Sequence, residues 1–325
     1  MSPHLNDSER RVGTVVTIGE TMLRFSASRI GSLAHSATAD IGMGGAESNV
    51  AIGLARLGVP TTWTSRLGAD AGGDFIVREL QSEGVTVQAS RVSTAPTGLM
   101  IKERRTPGTT NVVYYRAGSA ASGMSPGDLD PAVIAGARLL HLTGITPALS
   151  PSCRELTLAA IAMARAAGVP VSFDLNFRSR LWSAADAASF YREILPSVDI
   201  VFAGEDEAKI VTETGDDAEV LARQLAEFGS PTIVLKRGAA GAIALTADDV
   251  VSCDAVSISP VDTVGAGDGF VAGYLAEHLS GGTPEQCLAV AVVAGAFACL
   301  SDGDWEGAPR RSELALLTAL DPVSR

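Results

Sequence analysis

The alternation of short apolar runs with helix-length segments from residue 139 onward constrains the fold more than any other feature of this chain. Leu139–Leu142, Val171–Phe173, Ile200–Phe202 and Thr232–Leu235 are brief and largely apolar. Between them lie segments that read as helices: Pro151–Ala167, Glu205–Thr212 and Asp217–Glu227. Strands buried on both faces look like this, and parallel neighbours need a crossover, usually a helix. The pattern predicts an α/β fold with a mostly parallel central sheet covered by helices on both faces. Val12–Ile18, β-branched and followed by Gly19-Glu20, predicts a further central strand.

Two segments break the alternation, roughly 22–42 and 96–118. They carry short alternating runs such as Leu99–Lys102 and Asn111–Tyr115, which predict strands of a small β appendage. Between them the pattern gives a helix over Ser48–Leu57, a strand over Thr62–Arg66 and a helix over Asp74–Glu83. At 325 residues and 46% hydrophobic, the chain has ample material for one large core plus that appendage.

Charge and cysteines narrow the partners. A net charge of −12 argues against nucleic acid or an anionic membrane, but leaves room for an anionic small ligand in a locally basic cleft. The four cysteines are dispersed and no histidine cluster accompanies them, so zinc and a disulfide framework are not expected and a reduced, cytoplasmic setting is. Residues 1–11 lack an apolar centre and read as a frayed tail. The apolar run Cys287–Leu300 is short for a membrane span and predicts a buried helix.

The chemistry concentrates in Asp262-Thr263-Val264-Gly265-Ala266-Gly267-Asp268-Gly269-Phe270, followed directly by an apolar helix over Phe270–Leu279. Small residues at a helix start let backbone N–H groups face a ligand, and the helix dipole adds positive potential there. Such a loop can hold a phosphoryl group, and Asp268 beside it can accept the proton of an attacking hydroxyl. Aspartate at that place also caps helices well, so the segment alone leaves both roles open. A second motif, Gly44-Gly45-Ala46-Glu47-Ser48-Asn49, opens another helix, with Gly58 and Gly68 beyond it. Its glycines permit close backbone approach of a ligand, or simply a tight turn.

Together, Gly44 through Gly68 and Asp262 through Leu275 resemble the two signatures of the PfkB, or ribokinase-like, carbohydrate kinases. The resemblance covers nearly all of the chain after residue 12. It implies a three-layer ribokinase-like kinase domain over 12–325, with a β-sheet lid formed by about 22–42 and 96–118. It implies ATP and Mg²⁺, with Asp268 as catalytic base and the amides of Gly265, Ala266, Gly267 and Asp268 as an anion hole. Lys236-Arg237-Gly238-Ala239-Ala240-Gly241 resembles the family's nucleotide loop, which a plain hairpin turn would also explain. Asn176 then also falls among the nucleotide contacts. Glu207 matches an acidic position that helps organise hydrated Mg²⁺. A homo-oligomer is implied as well, because lids of this family often pair across a dimer.

Other stretches resemble the 2-keto-3-deoxygluconate kinase branch: Tyr114 to Ala120, His141 to Ser150, Asp174 to Arg178, Leu181 to Ser183 and Gly303 to Pro309. That branch implies an acid-sugar substrate phosphorylated at its C6 hydroxyl. Gly45, Asn49, Tyr114 and Tyr115 would line the sugar pocket, with Asp304 nearby, and Arg116 and Arg178 would bind the carboxylate. Sequence pattern by itself equally allows two solvated arginines. Met100, Gly204 and Val292 depart from the pattern of close relatives, the first at a sugar-contacting tyrosine. Fructokinase, ribokinase and nucleoside kinase activities, or a non-catalytic sugar-binding regulator on the same scaffold, are the alternatives.

Overall fold

The computed structural model describes residues 13–106, 109–212, 217–247 and 249–317. The expected N-terminal tail therefore lies outside the described residues. Strand β1 (Val15–Ile18) is fully buried and lies inside the main sheet, third from one edge. To one side lie β4 (Thr61–Gly68) and β5 (Thr86–Val92); to the other lie β8 (Leu139–Thr143), β9 (Val171–Asp174), β10 (Ile200–Gly204) and β11 (Thr232–Lys236), all parallel. Two antiparallel strands, β12 (Ala242–Thr246) and β13 (Asp249–Cys253), extend that edge to nine strands. Strand order thus runs outward in both directions from β1, and the carboxyl ends beside such a switch point form the ligand crevice of open α/β sheets.

Successive strand residues point to opposite faces, so each strand feeds two cores. Val16 and Ile18 pack beneath α4 (Pro151–Ala166), α5 (Ala184–Ile194), α6 (Glu205–Thr212) and α7 (Ala218–Ala226). Val15 instead joins the core of α1 (Ala46–Arg56), α8 (Ala266–Ser280) and α9 (Pro284–Ala298). The remaining helices are α2 (Ala71–Ser82) and the short α3 (Pro131–Ala135). Helix α8 is apolar around its circumference because both sides are covered: a Cβ on Gly273 would stand 2.9 Å from the Ala291 Cα in α9.

The segments that broke the alternation form a separate four-stranded sheet, ordered β3 (Ala39–Gly44), β2 (Met22–Ala27), β6 (Leu99–Thr106), β7 (Thr109–Tyr115). It leaves the main sheet just after β1 and returns through β3 into α1. Pairing aligns Ile41, Phe25, Ile101 and Val113 in one row across all four strands. The adjacent row, Gly42, Arg24, Met100 and Tyr114, points the other way, towards the crevice.

Candidate active site

Helix α8 starts behind Gly265, whose φ of 79° is left-handed. A Cβ there would also collide with the Asp304 carbonyl oxygen, so conformation and space both call for glycine. Helix geometry leaves the first amides without intrahelical acceptors. Ala266 N–H closes a turn onto the Thr263 carbonyl at 3.3 Å, and Gly269 N–H makes a full helical bond to Gly265 at 2.8 Å. The amides of Gly267 and Asp268 between them have no acceptor in their own helix, and the macrodipole makes that end attractive to anions.

Asp268 stands in this first turn, and Asn49 Nδ2 of α1 donates to its carboxylate at 2.7 Å. Burial pushes the Asp268 pKa up to about 7; the Asn49 bond opposes this, Asp174 adds to it, and Arg178 and Lys236 pull it down. A carboxylate so tuned exchanges protons near neutrality, as a general base must. Asn49 reaches it because α1 begins at Gly45, where a Cβ would collide with the Glu20 carbonyl just past β1. The Asp268 cap role left open above is not used: α8 has no side-chain cap, and Asp268 faces Asn49.

Lys236, the last residue of β11, places its ammonium between both Asp174 oxygens at 2.9 and 2.7 Å. Burial works to lower its pKa, but Asp174 and Glu207 outweigh this and hold the ammonium charged. Its Nζ lies 3.7 Å from where a Gly267 Cβ would be, which sets a cation beside the open amides. Asn176 adopts a left-handed φ of 38°, unusual outside glycine, and turns the chain so that Phe177 N–H reaches Glu207 at 2.9 Å. Gly204 N–H donates to the other Glu207 oxygen at 2.7 Å. A cleft of ≈ 450 Å³ opens here, lined by Glu205, Asp206, Glu207, Lys236 and Arg237 among others. The 237–241 turn is a hairpin between β11 and β12, with positive φ at Gly238 and Gly241, and its first residue, Arg237, lines this cleft.

On the small-sheet side, Arg116 donates to buried Glu20 through Nε at 2.7 Å and stacks over the Tyr114 ring. Its charge is therefore matched within the protein. Arg178 is exposed and bonds the Phe177 carbonyl, yet stands close enough to lower the Asp268 pKa. Asp304 is buried and ion-paired with Arg24, which also holds Glu306 at 2.6 Å. The two adjacent tyrosines separate: Tyr114 joins the crevice-facing row, whereas Tyr115 pairs with Leu99 on the outer face. Strand alternation thus sends the two neighbouring side chains to opposite faces, with Tyr114 on the crevice side.

The family model described as "pfkB family carbohydrate kinase" matches residues 13–311. The chain belongs to this family. The kinase is 35% identical over 292 residues to the 2-dehydro-3-deoxygalactonokinase of Haloferax volcanii, covering 89% of this chain and 92% of the relative. It is 36% identical over 307 residues to the 2-dehydro-3-deoxygluconokinase of Bacillus subtilis, covering 92% and 94%. The crystal structure of 2-dehydro-3-deoxygluconokinase from Thermotoga maritima superposes with a TM-score of 0.86 at 27% identity, covering 94% of this chain and 98% of that one.

The kinase's residues fit a nucleotide and a hydrated divalent cation. Among the described residues no group of three or more His, Cys, Asp or Glu is arranged to hold a metal. Mg²⁺ does not require one, since it keeps several waters and commonly takes one or two carboxylates plus phosphate oxygens. Glu207, fixed by two backbone amides at the cleft wall, suits that part. Sequence reasoning gave no role to Asp174, Glu20, Arg24 or Lys102. A polar residue ending a buried parallel strand was a usable signal for Asp174. Glu20 likewise follows the buried first strand, whereas nothing local distinguishes Arg24 or Lys102.

Proposed function

We propose that this kinase transfers the γ-phosphoryl group of ATP to the C6 hydroxyl of 2-keto-3-deoxygluconate or its C4 epimer. The observation that carries the proposal is Asp268, a carboxylate with a pKa near 7 seated among open helix amides and the Lys236 ammonium. The acceptor hydroxyl would lie against Asp268, displacing Asn49 from one carboxylate lone pair. As the new O–P bond forms and the bond to the leaving ADP breaks, Asp268 takes the hydroxyl proton. Gly267 and Asp268 amides and Lys236 meet the charge on the transferring group. Mg²⁺, when bound, neutralises phosphate charge. The small sheet acts as a lid over the sugar, and the ATP-dependent reaction belongs in the cytoplasm.

The acid-sugar part rests on Arg178. With Arg116 matched by Glu20, Arg178 is the guanidinium available for a substrate carboxylate. ADP release should be measured over acid sugars, neutral sugars and nucleosides, with and without Mg²⁺. Acid sugars should give the highest kcat/KM. Arg178→Met should lose roughly 10–100-fold in kcat/KM for them, the worth of a charge-assisted hydrogen bond, with little change for neutral sugars. Preference for a neutral sugar would shift the assignment to a fructokinase- or ribokinase-like activity; no turnover with any acceptor would favour a binding protein.

A homodimer through the lid is part of the same proposal. Its outer face exposes Ile41 (56%) on one edge strand and Val113 (41%) and Tyr115 (59%) on the other, apolar groups spread across a narrow sheet. Light scattering should give twice the chain mass, and Ile41→Asp should give the monomer mass; a wild-type monomer at micromolar concentration would refute the pairing.

A further inference from the structure

We propose that Lys102 is a positioning residue for phosphoryl transfer: from the small sheet, its ammonium holds the loop that aims the anion-hole amides. The proposal rests on the kinase reaction above and adds to it a dependence of the cradle on the lid. Lys102 lies on β6, on the crevice-facing side, and is buried. Its Nζ is 2.5 Å from Asp262 Oδ2 and donates to the Gly303 carbonyl at 3.1 Å. The other oxygen of Asp262 accepts from Val264 N–H at 3.2 Å, so one carboxylate joins the lid cation to the loop entering α8. Gly303, in turn, precedes Asp304, whose carbonyl backs Gly265. A single ammonium thus ties both walls that flank the left-handed residue at the head of the amides.

Arg24 is a different kind of tether. It grips the side chains of Asp304 and Glu306, whereas Lys102 grips a backbone carbonyl and a carboxylate already bonded to the loop's own amide. Amide aim is sensitive to small displacements, since a misplacement of about 1 Å can cost roughly 10²-fold in rate. The consequence is specific: loss of Lys102 should slow transfer while leaving nucleotide binding intact.

The test is Lys102→Met, which keeps length and removes charge. In steady-state assays kcat should fall roughly 10²-fold, the effect of losing one aimed donor. KM for ATP should stay within about two-fold, because the lost interaction belongs to the transition state. Hydrogen exchange should accelerate in the peptide 262–268 and not in α4. Unchanged kcat, or exchange rising equally in α4, would mark an ordinary structural ion pair and overturn the proposal. Should the unpaired Asp262 carboxylate prevent folding, the double variant Lys102→Met/Asp262→Asn removes both charges; its kcat must still fall by about the same factor, and wild-type-like turnover would refute the role. Exchange needs no substrate. A wild type inactive on every acceptor would sink the kinase reaction yet leave the lid-to-loop coupling open to this measurement.

Discussion

Asp268→Asn should lose roughly 10²–10⁴ in kcat while KM for both substrates changes little, because a general base acts on the barrier rather than on binding. The substitution is nearly isosteric, and its amide oxygen can still accept from Asn49, so the pocket keeps its shape. Wild-type kcat/KM should fall as pH drops through about 7, where Asp268 takes up its proton and can no longer accept another. Stability should move the opposite way. The folded protein binds this proton more tightly than the unfolded chain, whose carboxylate titrates near 3.8. Between those two values stability therefore declines as pH rises, and the penalty persists above about 7. Thermal denaturation should find Asp268→Asn more stable than wild type at pH 8, with the difference closing towards pH 4. An active Asp268→Asn enzyme would remove Asp268 from the mechanism.

Gly265→Ala is the second large effect. The new methyl meets the Asp304 carbonyl, and the left-handed backbone adds about 1–2 kcal/mol for any residue with a Cβ. The chain must shift at the one point that orients the Gly267 and Asp268 amides. A loss of roughly 10²–10³ in kcat is expected, measured per folded molecule so that reduced stability is not mistaken for reduced catalysis. Near-normal turnover would mean that these amides do not meet the transferring charge. The same substitution at Gly238, which is left-handed but has open space around its Cβ position, should be far milder.

Much of this architecture was legible in the residues. The parallel sheet followed from apolar runs at helix-length spacing, and the small sheet from the two stretches that broke that rhythm. The elements that escaped were those with mixed signals. β5 is a partly exposed edge strand, Thr86-Val87-Gln88-Ala89-Ser90-Arg91-Val92, without a continuous apolar run. α5 buries Ala187, Phe190, Tyr191 and Ile194, a helical spacing masked by its small, alanine-rich start. At the site, the glycine motifs and Asp268 could be found because helix-start chemistry is local. Arg24 and Lys102 could not: their partners lie 280 and 201 residues away, and only the folded chain brings them together. The Tyr114–Tyr115 pair was different, since strand alternation alone was enough to part them.

The loop from 303 to 308 carries a consequence for the order in which this molecule comes into being. Arg24 and Lys102, and Arg56 through the carbonyls of Glu306 and Ala308, all find partners within it, and the Asp304 carbonyl fills the space that a side chain at Gly265 would need. During synthesis the sheet and its helices can assemble from the emerging N-terminal portion, because domains begin to fold while the ribosome is still working. The residues that brace the cradle arrive only after some three hundred others, at a rate of roughly 5–20 per second. A nascent chain halted before residue 304 would hold a formed scaffold and a slack cradle, so competence for transfer comes last.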